Sequence, residues 1–408
     1  MENEQMASKF GSSSFVWAAC LMYFASGLAT VILGGVLPPL LLHYHAAYAT
    51  GGALVFYQFV GFLIGVPTAS VIIHRFGYKG VLIGAALCIS VALCGIALLP
   101  SIPVVYVLCV LNGFGIAATE TGAATYTMES FVGRRAVIMS YLEVAFGLGA
   151  LCMPALSSVL IAWQKWPLVF IIAGCLALIG AVGWMSISLN TSQEHELINE
   201  QSGAAKDALN ASPIAHNRWS KVMMLSLFLA MIFLYVGVES SLSSFLPAIF
   251  IPYLHELPYL ASLSVATFWL SMVIGRAATG WIVRKVPYDK FLLWSMIGTV
   301  VTLAGLTASR DALLCYTLVF LLGLFMSGIF SIAMVYANHA IPESARLVTS
   351  LVTVCAGLGG AVIPPLVGYS LDHVAIIGVL WIIAGSAGLL LLTLLSVQWL
   401  NARAATVS

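Results

Sequence analysis

The chain has 408 residues, of which 61% are hydrophobic and 8% charged, with a mean hydropathy of +1.05 and a formal net charge of +1. A soluble domain carries about 25% charged residues, so a water-soluble globule is excluded, and a charge so near zero gives no footing for nucleic acid. The bilayer must be the solvent, and its natural spanning unit is a helix of about 20 apolar residues whose backbone groups are all satisfied internally.

In chain order, apolar runs bounded by polar residues, Pro or Gly fall near 14–41, 52–73, 79–99, 103–128, 136–162 and 167–189, then near 220–249, 260–283, 288–308, 312–337, 345–371 and 375–399. The pattern predicts an all-α integral membrane protein with twelve spans, here numbered in that order. The first run has no small-residue cleavage site, so it reads as a retained helix rather than a signal peptide. Between the two sets of six lies 190–219, which holds Glu194, Glu196, Glu200, Lys206, Asp207 and Arg218 and no apolar pattern. It reads as a linker, with halves at 1–189 and 220–408.

The halves repeat at an offset of 210 residues. GLGALCMPAL at 147–156 returns as GLGGAVIPPL at 357–366, and seven of 20 positions are identical over 137–156 against 347–366. The offset aligns Gly147 and Gly149 with Gly357 and Gly359, and Pro154 with Pro364. It also pairs Gly27 with Gly237, Tyr78 with Tyr288, Gly113 with Gly323 and Tyr126 with Tyr336. A register held this far implies duplicated halves, and duplicated membrane halves are a transporter architecture.

Basic residues set the orientation. The termini, the linker and the other even-numbered loops carry 13 lysines and arginines, the odd-numbered loops only Lys165 and Arg310, and Arg276 lies inside span 8. The positive-inside rule then predicts a multi-pass inner-membrane protein with both termini and the linker in the cytoplasm. That side makes the sequons at Asn190 and Asn210 unavailable for glycosylation. An even number of spans per half makes the halves parallel repeats about an axis along the membrane normal.

The eight cysteines all fall inside apolar segments, with no CxxC pair, and read as small buried hydrophobes. His43, His45 and His255 fall in outer loops without metal-ligand spacing, so no metal and no cofactor is expected. There is no HExxH, GxSxG, nucleotide-binding loop or carbonyl-lined filter. An enzyme, an ATP-driven pump and a passive channel are therefore disfavoured.

On these features the chain resembles the major facilitator superfamily over nearly its whole length. The family's loop motif between spans 2 and 3 is degenerate here as SVIIHRFGYKG. His74 stands where the family has Asp, while Arg75, Gly77 and Lys79 match, and the second copy, GWIVRKVPYDK, has Arg284 at the acidic place followed by Lys285. The resemblance implies a gating role for this loop, although the missing Asp removes the usual charge lock. Span 4 reads GIAATETGAATYTMES and span 7 reads FLYVGVESSLSSFLP, similar to the fucose/proton symporter-like branch. In that branch the span-4 glutamate carries the proton, which maps onto Glu120, and a Tyr-Val-Gly-x-Glu signature maps onto Glu239. The aspartate of span 1 in the fucose permease itself would fall near Gly34 and is absent, so the chain does not read as a fucose permease.

An ionisable side chain at a helix centre costs roughly 2.5–3.5 kcal/mol on insertion scales, and four lie deep here: Glu120, Glu143, Glu239 and Arg276. At about 1.5 Å per residue, the first two and Arg276 sit roughly 10–12 Å from the cytoplasmic face, with Glu239 nearer the outer side. The family's fold brings spans 5 and 8 together, which suggests a Glu143–Arg276 pair, read either as part of the coupling machinery or as a latch between halves. Glu120 reads as a proton-coupling or substrate-binding acid, with Asn112 and Tyr235 as further lining groups. Glu129, beside Arg134 and Arg135, reads as a surface ion pair. Span 5 partly matches the antiporter motif at Ser140, Gly149, Pro154, Ser157 and Ser158 but has Met153 within it, so Gly147, Gly149, Pro154, Gly357, Gly359 and Pro364 read as packing and hinge positions.

Only Gln58, Asn112 and Asn338 are amides clearly within spans. Few amides and three acids lean toward export of a cationic, zwitterionic or amphiphilic solute by proton antiport. The alternative is proton-coupled sugar uptake. The expected partners are a small-molecule substrate, protons and the lipid bilayer, with the protein acting as a monomer.

Overall fold

The computed structural model describes residues 2–131, 134–186, 218–340 and 345–407. Most of the 190–219 linker, with both sequons, lies outside them. The described residues form helices α1 (Glu2–His43), α2 (Tyr48–Ala97), α3 (Ile102–Ser130), α4 (Arg135–Ala162), α5 (Leu168–Ser186) and α6 (Arg218–Leu254). They continue with α7 (Pro258–Ile282), α8 (Tyr288–Ala308), α9 (Ala312–Met326), α10 (Ile329–Ala340), α11 (Ala345–His373) and α12 (Ile376–Val407). The helices are apolar nearly all round because lipid, not water, faces their outer side: Trp17, Leu98 and Leu313 are more than three-quarters exposed.

Among the described residues, eleven helices are long and apolar enough to cross a membrane. The difference from twelve runs has a local cause. Runs 2 and 3 lie on one 50-residue helix, α2, which at about 75 Å is more than twice the hydrocarbon thickness. Gly77 interrupts it with φ 71° and ψ 172°, a conformation open essentially to glycine alone. Run 10 is divided in the opposite sense, between α9 and α10 at Ser327 and Gly328.

The chain forms two compact units. One comprises Met1–Ile32, Val60–Cys152 and Pro167–Ile214; the other comprises Leu33–Phe59, Met153–Trp166 and Ala215–Ser408. In the first, Phe15, Met22, Tyr23, Tyr78, Leu82, Leu142 and Trp184 share one buried core. In the second, α6 packs on α7, α11 and α12, and α9 packs on α7 and α8.

The repeat is visible inside each unit, where equivalent glycines make similar close approaches. A Cβ on Gly149 would lie 2.1 Å from the Phe24 carbonyl oxygen, and one on Gly359 would lie 2.0 Å from that of Phe233. A Cβ on Gly65 would lie 2.7 Å from the Ala117 methyl, and one on Gly275 would lie 2.2 Å from the Ser327 hydroxyl. Gly65 with Gly275 and Ala117 with Ser327 stand at the offset of 210. Without water to drive association, helices in lipid gain from such close packing, which small residues permit.

Two of the loop histidines, His45 and His255, also obey the offset. His45 and His255 adopt φ 48° and 55°, and around His45 the chain closes α1 through Ala46 N–H donating to the Leu41 carbonyl at 3.0 Å. This is a left-handed helix stop. Among the described residues no group of three or more His, Cys, Asp or Glu is placed to hold a metal.

Candidate functional site

Two polar clusters interrupt the apolar interior, one in each unit. In the second unit, Glu239 on α6 and Arg276 on α7 form an ion pair at 3.5 Å, with side chains 14% and 30% exposed. The Arg276 guanidinium also lies 5.6 Å from the centre of the Trp269 ring. Trp269 is two helical turns before Arg276, and Tyr235 one turn before Glu239, so each pair shares a helix face. Tyr235 is buried and donates to the Met326 carbonyl at 3.1 Å. The result is a partly exposed cluster of a five-donor guanidinium, a carboxylate and a buried indole.

The helix bounds give the depths of the pair. Glu239 lies fifteen residues before the end of α6 at Leu254, and Arg276 lies eighteen after the start of α7 at Pro258. That is about 22 Å and 27 Å below the turn joining the helices. By this count Glu239 lies about 4–5 Å nearer that turn than Arg276, close enough for the two long side chains to meet. Glu239 is thus one acid on Arg276, a partner that span numbering had not suggested.

In the first unit, α1 and α3 are cross-linked through side chains. The Tyr23 hydroxyl donates to the Glu120 carbonyl at 3.0 Å, and the Asn112 amide donates to the Ala29 carbonyl at 3.2 Å. Asn112 is buried, Glu120 half-buried and Glu143 exposed. Tyr23 was not foreseen, since α1 offers no neighbouring acid or amide to mark it.

The loop motif splits into separate tasks. Gly77 makes the break in α2, and the Lys79 ammonium donates to the Met185 carbonyl at 2.9 Å, placing a cation on the last turn of α5. His74 and Arg75 are exposed, with Arg75 lying over the exposed Phe76 ring at 5.6 Å. The buried Tyr78 donates to the Glu129 carboxylate, a second task for an acid that sequence had placed beside Arg134 and Arg135. In the second unit, Lys285 sits 4.4 Å over the Trp281 ring. Arg284 and Lys285 border a cavity of about 470 Å³ with Tyr288, Asp289 and Tyr336. Of the hinge positions, Gly147, Gly149, Pro154, Gly357, Gly359 and Pro364 are all buried.

Comparison with known proteins bears on these clusters. The family model of the Major Facilitator Superfamily matches residues 19–364 and 258–406. The glucose/mannose transporter GlcP of Bacillus subtilis (strain 168) is 31% identical over 351 residues, covering 86% of each chain. Among solved structures, the nucleoside transporter NupG superposes with a TM-score of 0.75 at 11% identity, covering 94% of this chain and 99% of that one. A D-xylose-proton symporter superposes with a TM-score of 0.73 at 16% identity, covering 93% and 96%. At such identities the superpositions speak for the fold. The lean toward export by antiport finds no support in these relatives.

Proposed function

The chain belongs to the major facilitator superfamily and is a membrane transporter, not an enzyme, and we propose that it carries a monosaccharide of the glucose–mannose class into the cell together with a proton. The observation that carries this reading is the 31% identity to a glucose/mannose transporter over 86% of both chains. The fold match to a sugar–proton symporter is consistent with it. Sparse amides pointed toward a cation, but a sugar does not need amides. The Glu239–Arg276 pair offers donors and acceptors for hydroxyls.

In this proposal α2 counts as two crossings broken at Gly77, giving twelve spans with both termini in the cytoplasm of a monomer in the inner membrane. The bodies that rock are 1–189 and 220–408, joined by 190–219. Glu120 carries the proton: a carboxylate wetted on one side and desolvated during occlusion must take up a proton before it is buried. Glu239 and Arg276 hold the sugar. Glu143 and Asn112 line the first cluster, and the two basic loops at Arg75 and Lys79 and at Arg284 and Lys285 close the cytoplasmic side.

The test is uptake into proteoliposomes with a pH dye inside and an imposed pH gradient. Glucose, mannose and xylose are offered separately to wild type and to Glu120→Gln. Sugar-dependent proton entry in wild type alone supports the proposal. Proton exit on sugar entry would mean antiport, and equal sugar equilibration without proton movement in both proteins would mean facilitated diffusion; either result overturns it.

A further inference from the structure

We infer that Asp372 is the positioning residue that holds the outer mouth of the transporter shut. The inference rests on the alternating-access reading above and on its assignment of the odd-numbered loops to the outside. The second compact unit contains more than the C-terminal helices: it includes Leu33–Phe59 and Met153–Trp166, the outer ends of α1, α2 and α4. Solute entering from outside must pass between these ends and α6, α7 and α11. The contacts that join them are therefore those that must break for entry.

They differ in kind. Between α7 and its neighbours the joints are neutral: Ser262 donates to the Gly35 carbonyl at 3.0 Å and the Pro154 carbonyl at 3.1 Å, and Ser158 donates to the Tyr259 carbonyl at 2.6 Å. Between α6 and α1 the joint is steric, since a Cβ on Gly34 would lie 1.8 Å from the Ser243 carbonyl oxygen. Between α11 and α2 it is a pair of charge-assisted hydrogen bonds. Asp372, in the last turn of α11, accepts from Tyr48 N–H through Oδ1 at 2.9 Å and from Ala49 N–H through Oδ2 at 2.8 Å.

Those two amides open α2 and have no partner within their own helix. A carboxylate there gains two charge-assisted hydrogen bonds and the favourable end of the helix dipole. It is also exposed, so water can replace it once the helices part, which a reversible closure requires. The fit beneath it is tight. A Cβ on Gly368, one turn earlier, would lie 2.7 Å from the Tyr48 carbonyl oxygen, and one on Gly52 would lie 2.7 Å from Pro365 Cα. Asp372 thus reaches the α2 amides only when α2 and α11 are in backbone contact. It senses closure and stabilises it, while no atom of it lies near Glu239 or Arg276, some 22 Å or more down the bundle by helical rise.

The experiment places spin labels at Ala47→Cys and Ala375→Cys, both exposed flanking positions, in a background lacking the native cysteines and reconstituted in nanodiscs. Distances are read in full-length protein with Asp372 intact, Asp372→Ala and Asp372→Asn. The expected result is a dominant short distance with Asp372, and a rise of about tenfold in the ratio of long to short populations with Ala. Asn, which keeps one acceptor oxygen but no charge, should fall between. Transport by the unlabelled variants should show a lower KM from the outside together with a lower kcat, because the outward state is more populated and closure is slower. Identical distance distributions in all three proteins would overturn the inference, even if the Ala variant transports poorly. Altered distances in a protein that moves no glucose or mannose would leave the closure role standing and remove the sugar assignment alone.

Discussion

Glu239 and Arg276 meet at 3.5 Å across α6 and α7, with Trp269 packed on the guanidinium. The pair spans two helices that are consecutive in the chain yet place these residues about 37 positions apart. Its charges are partly wetted, so neither partner is locked out of reach of a solute.

Removing one partner leaves the other with an uncompensated charge. Glu239→Gln or Arg276→Gln should each lower stability by about 1–3 kcal/mol, and the double variant by less than the sum. Thermal unfolding in detergent around this double-mutant cycle measures the coupling. Additive losses would show that the pair contributes contacts without mutual stabilisation.

The paired glycines make a symmetric prediction. Gly149→Ala and Gly359→Ala each drive a methyl into a backbone carbonyl, that of Phe24 or Phe233, which cannot rotate away. Each should cost about 1–3 kcal/mol or more from overpacking. Gly84→Ala meets nothing within 4 Å and should be neutral or slightly stabilising. Melting temperatures of the three variants decide it.

Gly77→Ala tests the break in α2. An L-residue at φ 71° and ψ 172° carries strain of about 1–3 kcal/mol. The expected outcome is reduced stability together with greater protease sensitivity around residues 74–80, read by limited proteolysis. An unchanged digestion pattern would show that another residue takes up the turn.

Tyr23→Phe removes the hydroxyl that joins α1 to the Glu120 carbonyl while leaving the carboxylate in place. It should cost about 0.5–1.5 kcal/mol and preserve sugar-driven proton entry, whereas Glu120→Gln should abolish proton entry. Loss of proton movement in the phenylalanine variant as well would make the phenol part of the proton path.

The class of the molecule was legible from composition, since 8% charge in 408 residues leaves only lipid as solvent. The internal repeat was legible too, because identical residues at an offset of 210 have to do identical jobs: Gly149 and Gly359 each admit a carbonyl, and His45 and His255 each end a helix with positive φ. The intramembrane acids were found by cost, because a buried charge is rare in a span unless something needs it.

Partnership was decided only by tertiary structure. Linear depth along separate spans did not suggest that Glu239 and Arg276 meet, because a residue count cannot see helix length, tilt or the rotation that turns one side chain toward another. The packing of α6 on α7 brings the Glu239 carboxylate to 3.5 Å from the Arg276 guanidinium. Likewise, nothing in the sequence around Asp372 marks it as different from any loop carboxylate. Its two bonds to Tyr48 and Ala49, residues more than 320 positions away, exist only because the glycines at 52 and 368 let α2 and α11 touch. Periodicity and charge are local properties of a chain and can be read along it; the meeting of two side chains depends on where whole helices come to rest, and that is set by the sum of packing across the fold.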